Sequence, residues 1–242
     1  MIDFELVLPC YNESANLKQI VTRAVDAAKL AGHGPSDFQL VLINNGSTDD
    51  SARVFAELGR SELAPWFRTV LVEVNQGYGY GLWSGLKTTT ARYVGWSHAD
   101  QQCDPKDAFA AQDLLKKDRP ESTVVKGIRF GRNAKDKFVS RVFELFARLF
   151  LGIHVHEINA QPKVFARGLL AKISNPPKTF AFDLYVLYQA EKAGFVTKTI
   201  PVEFPPRIHG TSKWAFSFMS RYKTILGMIR YMWQLSLREG RL

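Results

Sequence analysis

Asp100 and Gln102 stand two residues apart in His98-Ala99-Asp100-Gln101-Gln102, a segment that follows the apolar run Tyr93 to Trp96. Oxygens at that spacing can face one side of the chain. That suits a divalent cation bridged to phosphates, because Mg²⁺ and Mn²⁺ take oxygen ligands and draw only a few from protein. His98 adds an imidazole, a donor better matched to Mn²⁺ than to Mg²⁺. Taken alone, the triplet serves equally well as a helix cap ahead of Pro105 with a hydrogen-bonding histidine beside it. Two further polar clusters add to the chemical reading. Pro9-Cys10-Tyr11-Asn12-Glu13 follows the run Phe4 to Leu8, and Asn44-Asn45-Gly46-Ser47-Thr48-Asp49-Asp50 follows Phe38 to Ile43.

Short β-branched or aromatic runs that end in polar turn residues have the pattern of buried parallel strands. Ligands of an open α/β sheet lie beyond the carboxyl ends of its strands. The three clusters therefore read as one site assembled from distant segments. Between them, Leu17, Ile20, Val21, Ala24, Ala27 and Ala28 give Ser14 to Ala31 helical periodicity, and Asp49 or Asp50 caps a helix to Leu58. Thr69 to Val74 reads as a third strand, followed by a glycine-rich stretch and a helix to about Thr90. Pro105 opens a helix to Lys117, and Ser122 to Ile128 reads as a fifth strand. This alternation predicts an α/β fold with a mostly parallel central sheet and helices on both faces.

The second half reads differently. Lys137 to Leu151 is an amphipathic helix with an aromatic face (Phe138, Val142, Phe146, Leu149, Phe150). A helix over Asp183 to Ala193 and a strand over Thr197 to Val202 follow. Residues 1–213 read as one catalytic domain and 214–242 as an amphipathic basic helix, with Phe218, Tyr222, Ile225, Leu226, Ile229 and Trp233 near one face. The segment Gly79-Tyr80-Gly81-Leu82-Trp83-Ser84-Gly85 only superficially matches a dinucleotide fingerprint. It follows the third strand, and its last glycines are one residue too far apart.

Charge and composition narrow the class. A hydrophobic content of 46% and a charged content of 23% are ordinary for a globular protein. Cys10 and Cys103 form no CxxC, so a disulfide framework or a zinc site is not expected and a reduced, cytosolic setting is. The chain enters a strand almost at once, which reads as no signal peptide, and no uncharged apolar stretch is long enough to span a bilayer. Net charge is +9, and the segment from Arg207 onward holds seven Lys/Arg against Glu239. A second basic stretch runs from Lys126 to Arg141. Trp214, Phe216, Phe218, Tyr222, Tyr231 and Trp233 interleave with the tail's cations, a mixture that suits an anionic membrane surface better than a plain solvent face, and no nucleic-acid partner is expected.

Several segments occur together in a recognisable order: Leu6 to Ser14, Ile43 to Ser51, Asn75-Gln-Gly-Tyr-Gly79 and His98 to Gln102. In order and spacing they resemble family 2 glycosyltransferases. Lys126-Gly-Ile-Arg-Phe130, Glu157 to Phe165 and Arg207-Ile-His-Gly-Thr-Ser-Lys213 are similar to motifs of the polyprenyl-phosphate group, the dolichyl-phosphate mannose synthases. The resemblance covers roughly residues 4 to 215. It implies a GT-A (nucleotide-diphospho-sugar transferase) fold, a UDP- or GDP-sugar donor, Mg²⁺ or Mn²⁺, and inverting transfer.

Carried over by position, Pro9, Tyr11, Glu13, Asn45, Gly79 and Asp100 would hold the nucleotide, and Asp100, Gln102 and His98 the metal. Arg129, with Lys137 or Arg141, would face an acceptor phosphate, while Arg207, Ser212 and Lys213 close over phosphates. Asp100, Arg129, Glu157 and Lys163 count as catalytic. The acceptor is expected to be a polyprenyl phosphate, or alternatively a glycan hydroxyl. The setting is the cytoplasmic face of a membrane, with room for a membrane-protein partner. A nucleotide-binding scaffold without activity is the rival of another class. The family's usual Asp-Asp-Gly is Asn44-Asn45-Gly46 here, its Asp-Ala-Asp is His98-Ala99-Asp100, and an Asp is replaced by Glu157. The first change removes two negative charges from the expected donor side and the second removes one.

Overall fold

Alternation along the strands decides which core each residue joins. In β1 (Phe4–Cys10) and β2 (Phe38–Asn45), Phe4, Leu6, Leu8, Phe38, Leu40 and Leu42 enter one core. Val7, Val41 and Ile43 enter the other, the period of two that a pleated strand imposes. The computed structural model describes residues 2–132, 134–205 and 218–241. In it β3 (Phe67–Val72), β4 (Tyr93–Trp96), β5 (Thr123–Arg129), β6 (Lys163–Ala166) and β7 (Val196–Val202) complete a sheet of order β3-β2-β1-β4-β6-β5-β7. All pairings are parallel except those of β6, which runs antiparallel to both β4 and β5. The mostly parallel sheet matches the sequence expectation. β6 was not foreseen, because four residues directly after Pro162 carry too little periodicity.

Helices α1 (Ser14–Leu30), α2 (Ser51–Leu58) and α4 (Lys106–Lys117) cover one face. Helices α3 (Tyr78–Leu86), α5 (Ala134–Leu151), α6 (Phe182–Lys192) and α7 (Phe218–Arg238) cover the other. Leu17, Ile20, Val21, Ala24 and Ala28 of α1 are all buried in one core with β1 and β2. Each large side chain there contributes about 1.5–3 kcal/mol by burial, so Leu17→Ala would cost about 2–5 kcal/mol. The buried Glu5 carboxylate, on β1, accepts from the Thr90 and Ala91 amides (2.6 and 2.8 Å) and from Arg68, so its charge is fully partnered.

Helix α5 differs from its sequence reading, and α7 adds a core stripe to the expected one. Ala147 and Leu151 of α5 are buried, with Phe143, Phe146 and Phe150 packed against the core, but Phe138 and Leu149 are 68% and 64% exposed. Phe138 and Leu149 thus lie on a different face from Phe146 and Phe150. On α7 the core stripe is Met228, Met232 and Leu235. The stripe expected from sequence runs along its outer side, where Leu226 and Trp233 are exposed and Ile225 and Ile229 half-buried. The Phe218 and Tyr222 side chains lie outside what is described. Both helices are apolar on two sides because they pack on each other and on α6 while keeping an outer apolar row. No helix among the described residues is long and apolar enough to cross a membrane.

Candidate active site

Sheet order brings the polar clusters together. β1 lies between β2 and β4, so the loops after Cys10, Asn45 and Trp96 leave one edge of the sheet side by side. Hydrogen bonds through short polar side chains join the first two. Asn12 accepts from the Thr48 amide at Oδ1 (2.8 Å), and its own amide N–H donates to Ser47 Oγ (3.1 Å). The Glu13 amide donates to Ser51 Oγ (3.2 Å). Asp49 accepts the Ser14 and Ser51 amides (3.2 and 3.0 Å). Burial pushes the Asp49 carboxyl up, but these donors outweigh it and hold the group below its ordinary value. Asn12, Gln101 and Glu157 all have left-handed backbone (φ 56, 67 and 50°). Such conformations are costly for non-glycine residues and cluster at functional loops.

The loop after β4 is anchored through Gln101, whose Nε2 donates to Asn16 O (3.1 Å) and whose Oε1 accepts from Arg23 (2.7 Å). Anchored in this way, the loop keeps Asp100 only 5% exposed at the strand end. Asp100 Oδ1 accepts the Gln102 amide (3.2 Å), and Gln102 Nε2 donates to Pro205 O (2.9 Å), so any ligand role of that side chain falls to its Oε1. His98 is half-buried, its ring 6.1 Å from that of Tyr78, which itself stacks on Phe180 at 5.3 Å. Among the described residues no three His, Cys, Asp or Glu side chains gather for a metal. One carboxylate with an amide and an imidazole beside it still fits an ion that takes its remaining ligands from phosphate. Both thiols are buried; burial, aided by Asp100, pushes Cys103 up to about 12, so it is no nucleophile.

Beyond β4 the site is built from charges. Arg129, at the end of β5, donates from Nε to Glu157 Oε2 (2.6 Å), and Arg132 donates to Glu157 Oε1 (2.8 Å) and to Ser140 (2.8 Å). Burial pushes the Glu157 carboxyl up, but the two guanidiniums outweigh it and hold it below the usual range. Phe204 lies under the Arg129 guanidinium at 5.1 Å, a cation–π contact. Deeper, Lys163 is fully buried and ion-paired with Asp183, which also accepts from Gln161 (2.9 Å) and Trp96 (3.2 Å).

The profile of glycosyl transferase family 2 matches residues 5–195. The chain belongs to that family. The glycosyltransferase is 25% identical over 224 residues to polyprenol monophosphomannose synthase of Mycolicibacterium smegmatis, covering 86% of this chain and 79% of that one. Its fold is GT-A, shared with mannosyl-3-phosphoglycerate synthase of Rubrobacter xylanophilus (TM-score 0.73, 18% identity, 100% of this chain and 76% of that one). It is also similar to glucosyl-3-phosphoglycerate synthase of Mycobacterium tuberculosis in complex with Mg²⁺ and UDP (TM-score 0.70, 19% identity, 96% and 79%).

Within this glycosyltransferase, Pro9 is the penultimate residue of β1, and Tyr11, Glu13, His98, Asp100 and Gln102 lie on the adjoining loops at the ends of β1 and β4. Asn45 is 3% exposed and donates to Gly77 O (3.2 Å), so its amide props the start of α3. Gly79 serves packing: a Cβ there would lie 2.2 Å from Pro177 O. Lys163 sits under the floor, paired with Asp183, and not on its surface. Lys137 and Arg141 are exposed on α5. Arg207, Ser212 and Lys213 lie outside the described residues.

The basic stretch Lys126 to Arg141 is no uniformly solvated patch, since Lys126 is fully buried and Arg129 and Arg132 are paired with Glu157. Sequence reasoning missed Arg132, Gln161 and Asp183 as site residues. For Arg132 the available signal was its position three residues after Arg129. Gln161 and Asp183 had none, because their partners are distant in sequence.

Proposed function

We propose that this glycosyltransferase moves a sugar, with inversion, from a nucleoside-diphosphate sugar to a polyprenyl phosphate at the cytoplasmic face of a membrane. One observation carries the acceptor assignment. The arginine pair lies directly before α5, and the outer side of α5 carries Phe138, Leu145 and Leu149, continued by Leu226, Trp233 and Leu237 on α7. An anion-binding end joined to an apolar, basic-flanked surface matches a phosphate on a lipid. Between the two helices a groove of about 550 Å³ is lined by Phe150, Leu226, Gly227, Ile229, Arg230 and Trp233.

Pro9, Tyr11 and Glu13 contact base and ribose in this reading, and Asp100, with Gln102 and His98, would hold Mg²⁺ or Mn²⁺. When bound, such an ion neutralises charge that develops on the leaving diphosphate. The chain's own residues do the rest. Arg129 and Arg132, oriented by Glu157, receive the acceptor phosphate and offset its charge as it approaches the sugar; Lys137 and Arg141 add to the field, and Arg207, Ser212 and Lys213 close over the donor phosphates. A phosphate acceptor is already an anion, so no general base is needed. Glu157, held ionised by two arginines, is suited to orienting them and is a weak base, which disfavours a hydroxyl acceptor.

The test is transfer of labelled sugar from a panel of UDP- and GDP-sugars to undecaprenyl phosphate, with Mg²⁺, Mn²⁺ or EDTA. Label in the lipid fraction, lost with EDTA, is the expected result. Transfer only to glycan hydroxyls would overturn the acceptor. Liposome sedimentation tests the membrane face: binding should require anionic lipid and weaken at high salt. Equal recovery with neutral and anionic vesicles would remove it.

A further inference from the structure

Two lysines face each other across β5 and β6, for Lys126 and Lys163 are register partners, and both are fully buried. Lys163 has the Asp183 carboxylate. Among the described residues Lys126 has no carboxylate within ion-pair distance. Its Nζ donates instead to two backbone carbonyls, Gly127 O (2.6 Å) and His156 O (2.8 Å). A neutral amine has two N–H groups, and two carbonyls satisfy both. A buried ammonium would carry a third donor and an uncompensated charge, which is expensive. Burial first, and then the Lys163 charge, push the Lys126 amine down to about 7, against the pull of Glu157 and Asp183.

The carbonyl of His156 belongs to the turn that presents Glu157. That turn is held in left-handed backbone at Glu157, and only glycine adopts such a conformation without cost. Glu144 of α5 accepts the Glu157 amide (2.8 Å) and contacts the His156 ring (2.9 Å). Arg129 and Arg132 grip the Glu157 carboxylate. Lys126 is thus the tie from the sheet interior to the backbone of the turn. We propose that Lys126 is a positioning residue for the acceptor site, a buried latch that holds the 156–157 turn so that Glu157 keeps both arginines aimed at the incoming anion. The proposal rests on the acceptor assignment above.

The test uses Lys126→Met, an unbranched chain one atom shorter that lacks the donor, and Lys126→Gln, a two-hydrogen donor on a shorter arm. Farnesyl phosphate is the acceptor probe, UDP and GDP the donor-side probes, and amide exchange at Glu157 reports the turn. Lys126→Met should raise the KM for farnesyl phosphate about tenfold or more, as expected when a supporting contact is lost and reacting groups are misplaced. The Kd of the nucleotides should not move, and exchange at Glu157 should quicken. Lys126→Gln should recover part of the loss, and it alone decides the matter if the Met variant does not fold.

Because the latch acts through Glu157, Arg132→Gln should add little to Lys126→Met. A raised KM in Arg132→Gln beside a normal KM and normal exchange in Lys126→Met overturns the latch. If Arg129→Gln and Arg132→Gln both leave the farnesyl phosphate KM unchanged, the acceptor assignment fails instead. The latch then stands or falls on exchange at Glu157.

Discussion

The two halves of the site are held by different forces. In the loops after β1, β2 and β4, Asn12, Ser47, Thr48, Asp49, Ser51 and Gln101 tie the backbone through short polar side chains. Beyond β4, Arg129, Arg132, Glu157, Lys163 and Asp183 form ion pairs with little solvent exposure. A neutral hydrogen bond contributes only about 0.5–1.5 kcal/mol net, and leaves a loop free to adjust around a ligand. A buried charge pair stabilises little as a pair, yet removing one member strands the other at about 3–5 kcal/mol. Function and stability should therefore separate in the first half and coincide in the second.

The largest effect on activity should come from Asp100→Ala. Transfer should fall by roughly a thousandfold or more, in line with losing a group that stabilises transition-state charge, while a thermal melt moves little. A folded variant with near-normal turnover would remove Asp100 from the chemistry. The largest effect on stability belongs to the other half. Lys163→Met leaves Asp183 buried without its cation and should cost about 3–5 kcal/mol in urea unfolding. A loss below about 1 kcal/mol would mean that Gln161 and Trp96 suffice to hold the carboxylate.

Solution pH sharpens the contrast next. The folded-state pKa of Asp183 is lowered: burial raises it, but Lys163 outweighs burial. Its stabilising share is therefore present above the unfolded carboxyl value, about 3.9, and is lost as pH falls through the folded value. Lys126 works in the opposite direction. Its amine is lowered to about 7 in the fold, so between there and the unfolded lysine value of about 10.4 the unfolded chain binds the extra proton. Stability attributable to Lys126 should rise with pH in that window, by up to about 1.4 kcal/mol per pH unit. Denaturation of wild type and Lys126→Met at pH 7 and pH 9 measures it. A constant difference between the two proteins would show that the amine is charged in the fold. The smallest effect is His98→Asp, which should shift metal preference from Mn²⁺ toward Mg²⁺ with the fold untouched. Unchanged preference would put His98 outside the ligand set.

Legibility followed the same divide. The loops at β1, β2 and β4 were readable because each follows an apolar run, and strand polarity in a parallel sheet sends such ends to one edge. The placing of Asp100, Tyr11 and Glu13 on adjoining strand ends followed from that. Lys126 and Lys163 could not be placed, because lysine is almost always exposed and its burial depends on partners elsewhere. Asp183 is twenty residues from Lys163, and His156 thirty from Lys126. The aromatic residues of α5 were seen, but their face was misassigned, and the core stripe of α7 was not seen, since apolar residues all round a helix leave periodicity undecided.

By itself, the sequence determined the α/β alternation, the polar loops after β1, β2 and β4, and the basic, aromatic character of the C-terminal segment, because local periodicity and turn chemistry are short-range properties. Only the tertiary structure decided that β6 enters antiparallel and sets Lys163 beside Lys126. It also decided that Glu157 lies between two arginines, and that α7 gives Met228, Met232 and Leu235 to the core while Leu226 and Trp233 face outward. Those outcomes depend on which distant segments meet in a low-dielectric interior, where the partner of a charge sets its cost, and no local pattern encodes that meeting.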